Sequence, residues 1–326
     1  MALIRPQVLA LRALGLGDLL TGVPALRAMR RALPDHEHVL AAPAVLSDLV
    51  ALAGVADRVL PTAGLERVAW SGEAPALAVN LHGRGPRSHR LLAELRPGRL
   101  VGFGCREAGH DGPAWDPDEH EVRRWCRLVT DGLGVATDPT DLVIATPPKD
   151  PLVGGAVVVH PGAAFPARRW PADRFAAIAR WARDRGHDVV VTGGPDESDL
   201  ADDVRRLAGL PAAAVLAGRT DLLHLAAEVA TARLVVCGDT GVAHLATAYA
   251  TPSVLLFGPT PPSRWGPLGD GPHEVLWRGA GVGDPWAPRP DPALLDLGVD
   301  AVVAAATRVL EVSGARPPAR TTPASS

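Results

Sequence analysis

An excess of positive charge, paired-cysteine spacing, lysine beyond a single residue and an unbroken membrane-length apolar run are all missing from this sequence. Each lack bears on function. Lys and Arg together number 33 against 36 Asp and Glu, a formal net charge of -3. The strongly basic face that neutralises nucleic-acid phosphates is therefore missing, and no nucleic-acid partner is expected. The three cysteines, Cys105, Cys126 and Cys237, lie far apart without CxxC spacing, which speaks against a structural zinc or redox site and for reduced thiols in a cytoplasmic protein. Lys149 is the only lysine; with the abundance of Ala, Gly and Pro, this reads as coding composition and says little about function. The stretch Thr240 to Ser263 carries no charge, yet Pro252 and Pro259 divide it, so a buried helix followed by a buried strand fits better than a membrane span. Near the start, Arg12 and Asp18 break the apolar run that follows Arg5, and no signal peptide is expected.

What is present is 326 residues with 47% hydrophobic side chains, enough for more than one core, so two domains are the starting expectation. Gln7 to Ala13 reads as a buried strand, the Gly15 and Gly17 pair as a turn, and Asp18 to Leu33 as a helix. Apolar runs recur at Val39 to Ala41, Asp57 to Leu60, Leu77 to Leu81 and Leu100 to Phe103, the pattern of a parallel sheet wrapped by helices. A helix from about Glu119 to Leu133 leads to the Pro- and Gly-rich connector Ala145 to Gly155. The alternation then restarts with strands at Ala156 to His160, Asp188 to Thr192, Ala213 to Leu216, Leu234 to Cys237 and Ser253 to Phe257. Helices are expected between them at Ala172 to Arg185, Glu197 to Ala208, Leu222 to Thr231 and Val242 to Ala250. The division is residues 1–148 for an N-terminal acceptor domain, 149–313 for a C-terminal donor domain, and 314–326 for a disordered tail. A final helix, Val299 to Val312, is expected to pack back on the first domain. Two such sheets would hold ligands in the cleft between them, at the carboxyl ends of the strands.

The chemistry-bearing residues cluster at those ends. In VCGDTGVAHLATA (Val236 to Ala248), Asp239, Thr240 and Gly241 lie between a strand and a helix start whose free N–H groups can hold a diphosphate. Thr240 can add a hydroxyl, and Gly241 would let a ligand come close. The alternative is that Asp239 or Thr240 only caps the helix. His244 reads as packed rather than catalytic, on the donor side. In HPGAAFPARRWP (His160 to Pro171), Arg168 and Arg169 can neutralise a diphosphate leaving group, although arginines before a helix are also common on surfaces. In GLGDLLTGVPAL (Gly15 to Leu26), Gly17 and Asp18 would face the cleft from the opposite domain, with Asp18 as a base toward an acceptor hydroxyl. Here the alternative is an ordinary capping aspartate, whose pKa the helix start would lower. Thr192 at a strand end, Glu197 near ribose hydroxyls, Thr220 near a nucleobase and Thr260 near phosphate or sugar complete the donor group, with helix capping competing for Glu197. Arg84 and Arg87 in HGRGPRSHR would line the acceptor side. DPDE at Asp116 and DPTD at Asp138 read as surface loops, not metal ligands. Gly15-Leu16-Gly17 lacks the third glycine of a dinucleotide fingerprint, which argues against a nicotinamide enzyme.

Taken in order, the segments GLGDLL with PAL, HPGA, RRWP, GGP, GDTG with AHLA and FGPT resemble the ADP-heptose:lipopolysaccharide heptosyltransferase family, glycosyltransferase family nine. The resemblance implies an α/β, GT-B fold, two Rossmann-like doubly wound parallel-sheet domains facing a central cleft. It implies inverting transfer of a heptose-like sugar from an ADP-linked donor without a metal or other cofactor. Asp18 resembles the family's catalytic base, and Asp239, Thr240 and Gly241 its phosphate-binding turn. Arg168 falls where that family usually has lysine, two residues before the Trp-Pro pair. The implied acceptor is a carbohydrate, lipid-linked or small-molecule alcohol, with peripheral membrane contact possible. A GT-B epimerase and a non-catalytic nucleotide-sugar binding protein are the rival readings.

Overall fold

The computed structural model describes residues 5–314. Its first half begins with β1 (Gln7–Leu11), α1 (Leu16–Ala32), β2 (Glu37–Ala42), α2 (Ser47–Ala53) and β3 (Arg58–Pro61). It continues with β4 (Leu77–Asn80), α3 (Arg87–Ala93), β5 (Arg99–Val101) and α4 (Glu121–Leu133). The strands pair in parallel in the order β3-β2-β1-β4-β5. Strands such as VLAL and LAVN are buried throughout, as expected of a parallel sheet covered by helices on both faces.

Residues 134–156 carry no helix or strand, and the expected boundary falls in this stretch. The second half runs β6 (Val157–His160), α5 (Ala172–Arg183), β7 (Val189–Val191), α6 (Ser198–Ala208), α7 (Leu222–Thr231) and β8 (Leu234–Gly238). It closes with α8 (Gly241–Ala248), β9 (Ser253–Phe257), α9 (Pro262–Trp265), β10 (His273–Trp277), α10 (Pro292–Leu295) and α11 (Val299–Gly314). Its sheet is also parallel, in the order β10-β9-β8-β6-β7.

Two expectations need correction. Ala213 to Leu216 is not a strand: Pro211 leads into a tight turn at Ala212–Ala214, and only Val215 bridges to Val191. Three consecutive alanines offer little to a pleated surface, and the fifth strand is instead β10, an edge strand whose His273 and Glu274 hid it among polar residues. The last helix does not cross to the first half. Its Val302, Ala305, Ala306 and Val309 are buried in the core shared with α5 and β9. The expected tail, beyond Gly314 at the end of α11, lies outside the described residues.

The core sits in layers. One face of the first sheet covers Leu9, Leu11 and Leu92, and one face of the second covers Trp170, Phe175 and Val204. Between the sheets a third cluster runs without interruption from Leu19 and Val23 of α1 to Leu245 and Ala246 of α8. Among the described residues, no helix is long and apolar enough to cross a membrane.

Candidate active site

In each sheet the strand order reverses at one place, between β1 and β4 and between β6 and β8, and such switch points open crevices at the carboxyl ends of strands. The loops that follow these four strands line a single cavity of about 620 Å³. Asp18 and His82 reach it from the first half, and Arg168, Asp239, Thr240 and Thr260 from the second.

Asp18 stands at the third position of α1, behind the Gly15 that starts it. One carboxylate oxygen accepts from the Gly15 N–H at 3.2 Å, and the other lies 3.8 Å from the Arg12 guanidinium. The side chain keeps 27% of its surface open, so it caps the helix and faces the cavity together. Burial pushes its carboxyl above the usual value, Arg12 opposes this, Glu121 adds to it, and the Gly15 hydrogen bond opposes it more weakly. The expected lowering at the helix start is thus outweighed by burial, and Asp18 is a stronger base than an ordinary capping aspartate.

Arg12 is itself wholly buried. It donates to Thr21 Oγ1 at 2.9 Å, to Glu121 Oε1 at 3.3 Å and to the Asp18 and Leu81 carbonyls. Glu121 also accepts from Trp125 Nε1 at 2.8 Å and from Arg124. Two guanidiniums and two carboxylates therefore share charge beneath the cavity wall, which keeps the buried ions compensated.

Opposite, β8 ends at Gly238 and Thr240 enters α8 with extended backbone. No side chain caps this helix, so neither Asp239 nor Thr240 is spent as a cap. Thr240 Oγ1 and Arg168 Nε are both buried and have no hydrogen-bond partner among the described residues. Together with the free N–H groups of the first turn of α8, they are donors awaiting an acceptor. Arg168 Nη1 lies 4.0 Å from Asp239, and its guanidinium sits 5.6 Å from the Phe165 ring.

Gly17 and Gly241 also stand where α1 and α8 meet. A Cβ on Gly241 would come within 2.9 Å of Leu16, and one on Gly17 within 2.8 Å of the His244 ring. The missing side chains let α1 and α8 approach each other, and both glycines also line the cavity. His244 packs edge-on to Trp265 at 5.8 Å, and burial lowers its pKa to about 4, so it is neutral at neutral pH.

Burial pushes the Asp239 carboxyl up to about 6, against the pull of Arg168 and with a further rise from Asp18. In an unfolded chain an aspartate titrates near about 4, so the folded protein binds the extra proton between about 4 and 6, and stability falls as pH rises through that window. Asp239→Asn should therefore gain stability above about pH 6, by about 2 to 3 kcal/mol at most, and gain none below about pH 4. Thermal unfolding of both proteins across this range tests it; a gain that does not vary with pH would contradict it.

Other expected residues fall outside the cavity lining. Thr192 is buried and its hydroxyl pairs with His160 Nδ1 at 3.0 Å. Glu197 accepts from the Gly194 N–H at 2.8 Å, the capping alternative, while its carboxyl lies against Gly162. Thr220 is half-buried away from the cavity, and Arg84 and Arg87 are exposed, Arg87 opening α3. Both stand on the loop after β4 that carries the lining His82. Residues not anticipated are Glu121, Arg124, His82, Trp115, Trp265 and Trp286. Asp118, read as a surface-loop residue, does pair with Arg264 of α9 across the two halves. Among the described residues, no three His, Cys, Asp or Glu side chains gather as a metal ion would require.

A family model described as glycosyltransferase family 9 (heptosyltransferase) matches residues 112–278. No curated protein matches the chain. Among solved structures, a glycosyl transferase family 9 protein from Veillonella parvula superposes with TM-score 0.77 at 21% identity, covering 96% of this chain and 99% of that one. The E. coli ADP-heptose lps heptosyltransferase II gives 0.76 at 20%, covering 95% and 100%. E. coli heptosyltransferase WaaC with ADP gives 0.67 at 20%, covering 93% and 99%. At such identities the likeness speaks to the fold, two doubly wound sheets across a cleft in the GT-B arrangement.

Proposed function

The chain belongs to glycosyltransferase family 9, the heptosyltransferase family, and from that premise we propose an inverting, metal-independent transfer of a heptose-like sugar from an ADP-linked donor to an acceptor hydroxyl. The observation that carries this reading is the pair of unpartnered buried donors, Thr240 Oγ1 and Arg168 Nε, lining the same cavity as the partly open carboxylate of Asp18. Diphosphate oxygens would supply the missing acceptors, with the start of α8 adding N–H groups. The WaaC complex with ADP supports adenine as the base.

In the proposed reaction Asp18 takes the acceptor's hydroxyl proton as that oxygen bonds to the anomeric carbon. The bond from that carbon to the diphosphate breaks with an oxocarbenium-like transition state, and the electron pair leaves with the diphosphate. Arg168, Thr240 and the α8 N–H groups receive the developing charge, a task that a cation would otherwise perform. Attack from the Asp18 side, opposite the leaving group, inverts the anomeric centre. The reaction is assigned to the cytoplasm, and the acceptor is a carbohydrate, lipid-linked or small-molecule alcohol.

Calorimetric titration with ADP, GDP, UDP and dTDP, repeated with EDTA and against NAD, tests this directly. ADP should bind selectively and equally well with the chelator present. Binding of NAD alone, or of no diphosphate, would sink the donor assignment, and loss of binding with EDTA would sink metal independence.

A further inference from the structure

Asp18 stands beside a positive charge without being bonded to it, and the residues that arrange this take no part in the reaction as written above. Arg12 directly follows β1. Its Nε donates to the Asp18 carbonyl and its Nη1 to the Leu81 carbonyl, so backbone atoms of α1 and of the loop after β4 hold the guanidinium in its plane. Nη2 carries two hydrogens. One goes to Thr21 Oγ1 at 2.9 Å and the other to Glu121 Oε1 at 3.3 Å. Asp18 Oδ1 lies 3.8 Å from the same Nη2, beyond hydrogen-bond reach.

Glu121 is itself held firmly. Trp125 Nε1 donates to its Oε1 at 2.8 Å and Arg124 to its Oε2, while the Arg12 guanidinium lies 4.8 Å over the Trp125 ring. Just before it, His120 Nε2 bonds the Gly266 carbonyl of the second half at 2.9 Å, and His120 Nδ1 accepts from the Val122 N–H at 3.2 Å. The start of α4 is thus fixed from both halves, and Glu121 reaches the cavity lining although it is buried.

A carboxylate bonded to a guanidinium is a poor proton acceptor, because the bond favours its ionised form. One that only stands near the charge keeps more of its basicity. Glu121 acts in the same sense through its own charge, which offsets Arg12 and raises the Asp18 carboxyl. The other charged and titratable groups at this place are Arg124 of α4, His82 after β4, His244 of α8, and Asp239 with Arg168 across the cleft. Burial first, then Arg12, lowers the His82 pKa to about 4, His244 is lowered likewise, and Arg168 partly offsets Asp239.

We infer, on the basis of the transferase reading above, that Glu121 and Thr21 are positioning residues for the proton transfer: by taking both hydrogens of Arg12 Nη2 they keep the guanidinium beside Asp18 but unbonded to it, which leaves Asp18 Oδ1 open to the acceptor's hydroxyl.

The test reads Asp18 directly, by carbon-13 NMR of the full-length protein labelled at the aspartate side-chain carboxyls and titrated over pH. Asp18→Asn and Asp239→Asn identify the two signals. Glu121→Gln keeps the shape and removes the charge, and the Asp18 midpoint should move toward acid by about half a pH unit or more. Thr21→Val frees one Nη2 hydrogen at constant charge and should move the midpoint the same way. Glu121→Asp, which restores the charge, should return it toward the wild-type position. Residues that merely brace the fold would lower Tm and leave the midpoint where it is. A midpoint that stays in place or moves toward alkali, in either Glu121→Gln or Thr21→Val, overturns the inference; should Glu121→Gln lose cooperative thermal unfolding, Thr21→Val decides alone. Because the titration needs neither donor nor acceptor, a failure of ADP to bind would fell the transferase reading separately and leave this result standing.

Discussion

Asp18→Asn should lower turnover by about 10²- to 10⁴-fold, the usual worth of a positioned general base, with ADP affinity unchanged. Asparagine keeps the shape of the side chain and an oxygen that can accept from the Gly15 N–H, so the start of α1 should survive and the loss should report on proton transfer. Burial raises the Asp18 carboxyl while Arg12, at 3.8 Å, restrains the rise. In the wild type, kcat/KM should therefore climb with pH as Asp18 ionises, with its midpoint above that of an ordinary aspartate. The variant should lose that limb. Transfer assays over pH, alongside ADP calorimetry, provide both readouts, and turnover equal to wild type would remove Asp18 from the mechanism.

Arg168→Ala should weaken nucleotide diphosphate binding by about 10- to 100-fold, since a hydrogen bond to a charged group contributes about 1.5 to 3 kcal/mol, and should slow transfer as well. The guanidinium is the nearest positive charge to Asp239, so its removal also leaves that carboxylate uncompensated beside an incoming diphosphate. Arg168→Lys should recover part of the affinity, because a point charge restores attraction to phosphate without the planar fork. Calorimetry with ADP distinguishes the three proteins. Unchanged affinity in the alanine variant would contradict the role given to Arg168.

Much of this arrangement is legible from local signals. Strand, glycine turn and helix at Gln7 to Leu33, and again at Val236 to Ala248, announce themselves because buried parallel strands are continuously apolar and their turns need particular residues. The motifs at those turns then fall at strand ends, where the cavity is. The network beneath Asp18 was not legible, because Arg12 meets Glu121 only after the chain has folded across a separation of 109 positions; the sole hint was a charged residue inside an apolar run. The same remoteness hid the reason for Gly241, which is the Leu16 side chain of the other half. The direction of the Asp18 shift depended on burial, which spacing alone does not supply.

The meeting of α1 and α8 bears on how such a protein can be rebuilt. Two glycines, Gly17 and Gly241, each sit where the other helix would collide with a methyl group, and the apolar cluster passes through that contact from one sheet to the other. The halves therefore share one continuous apolar contact whose two sides must fit each other. A chimera that takes its donor half from a distant relative imports a new α8 surface against an old α1. It would fold only where the pairs Gly17 with His244 and Leu16 with Gly241 travel as sets, which ties the inheritance of donor choice to that of the acceptor half.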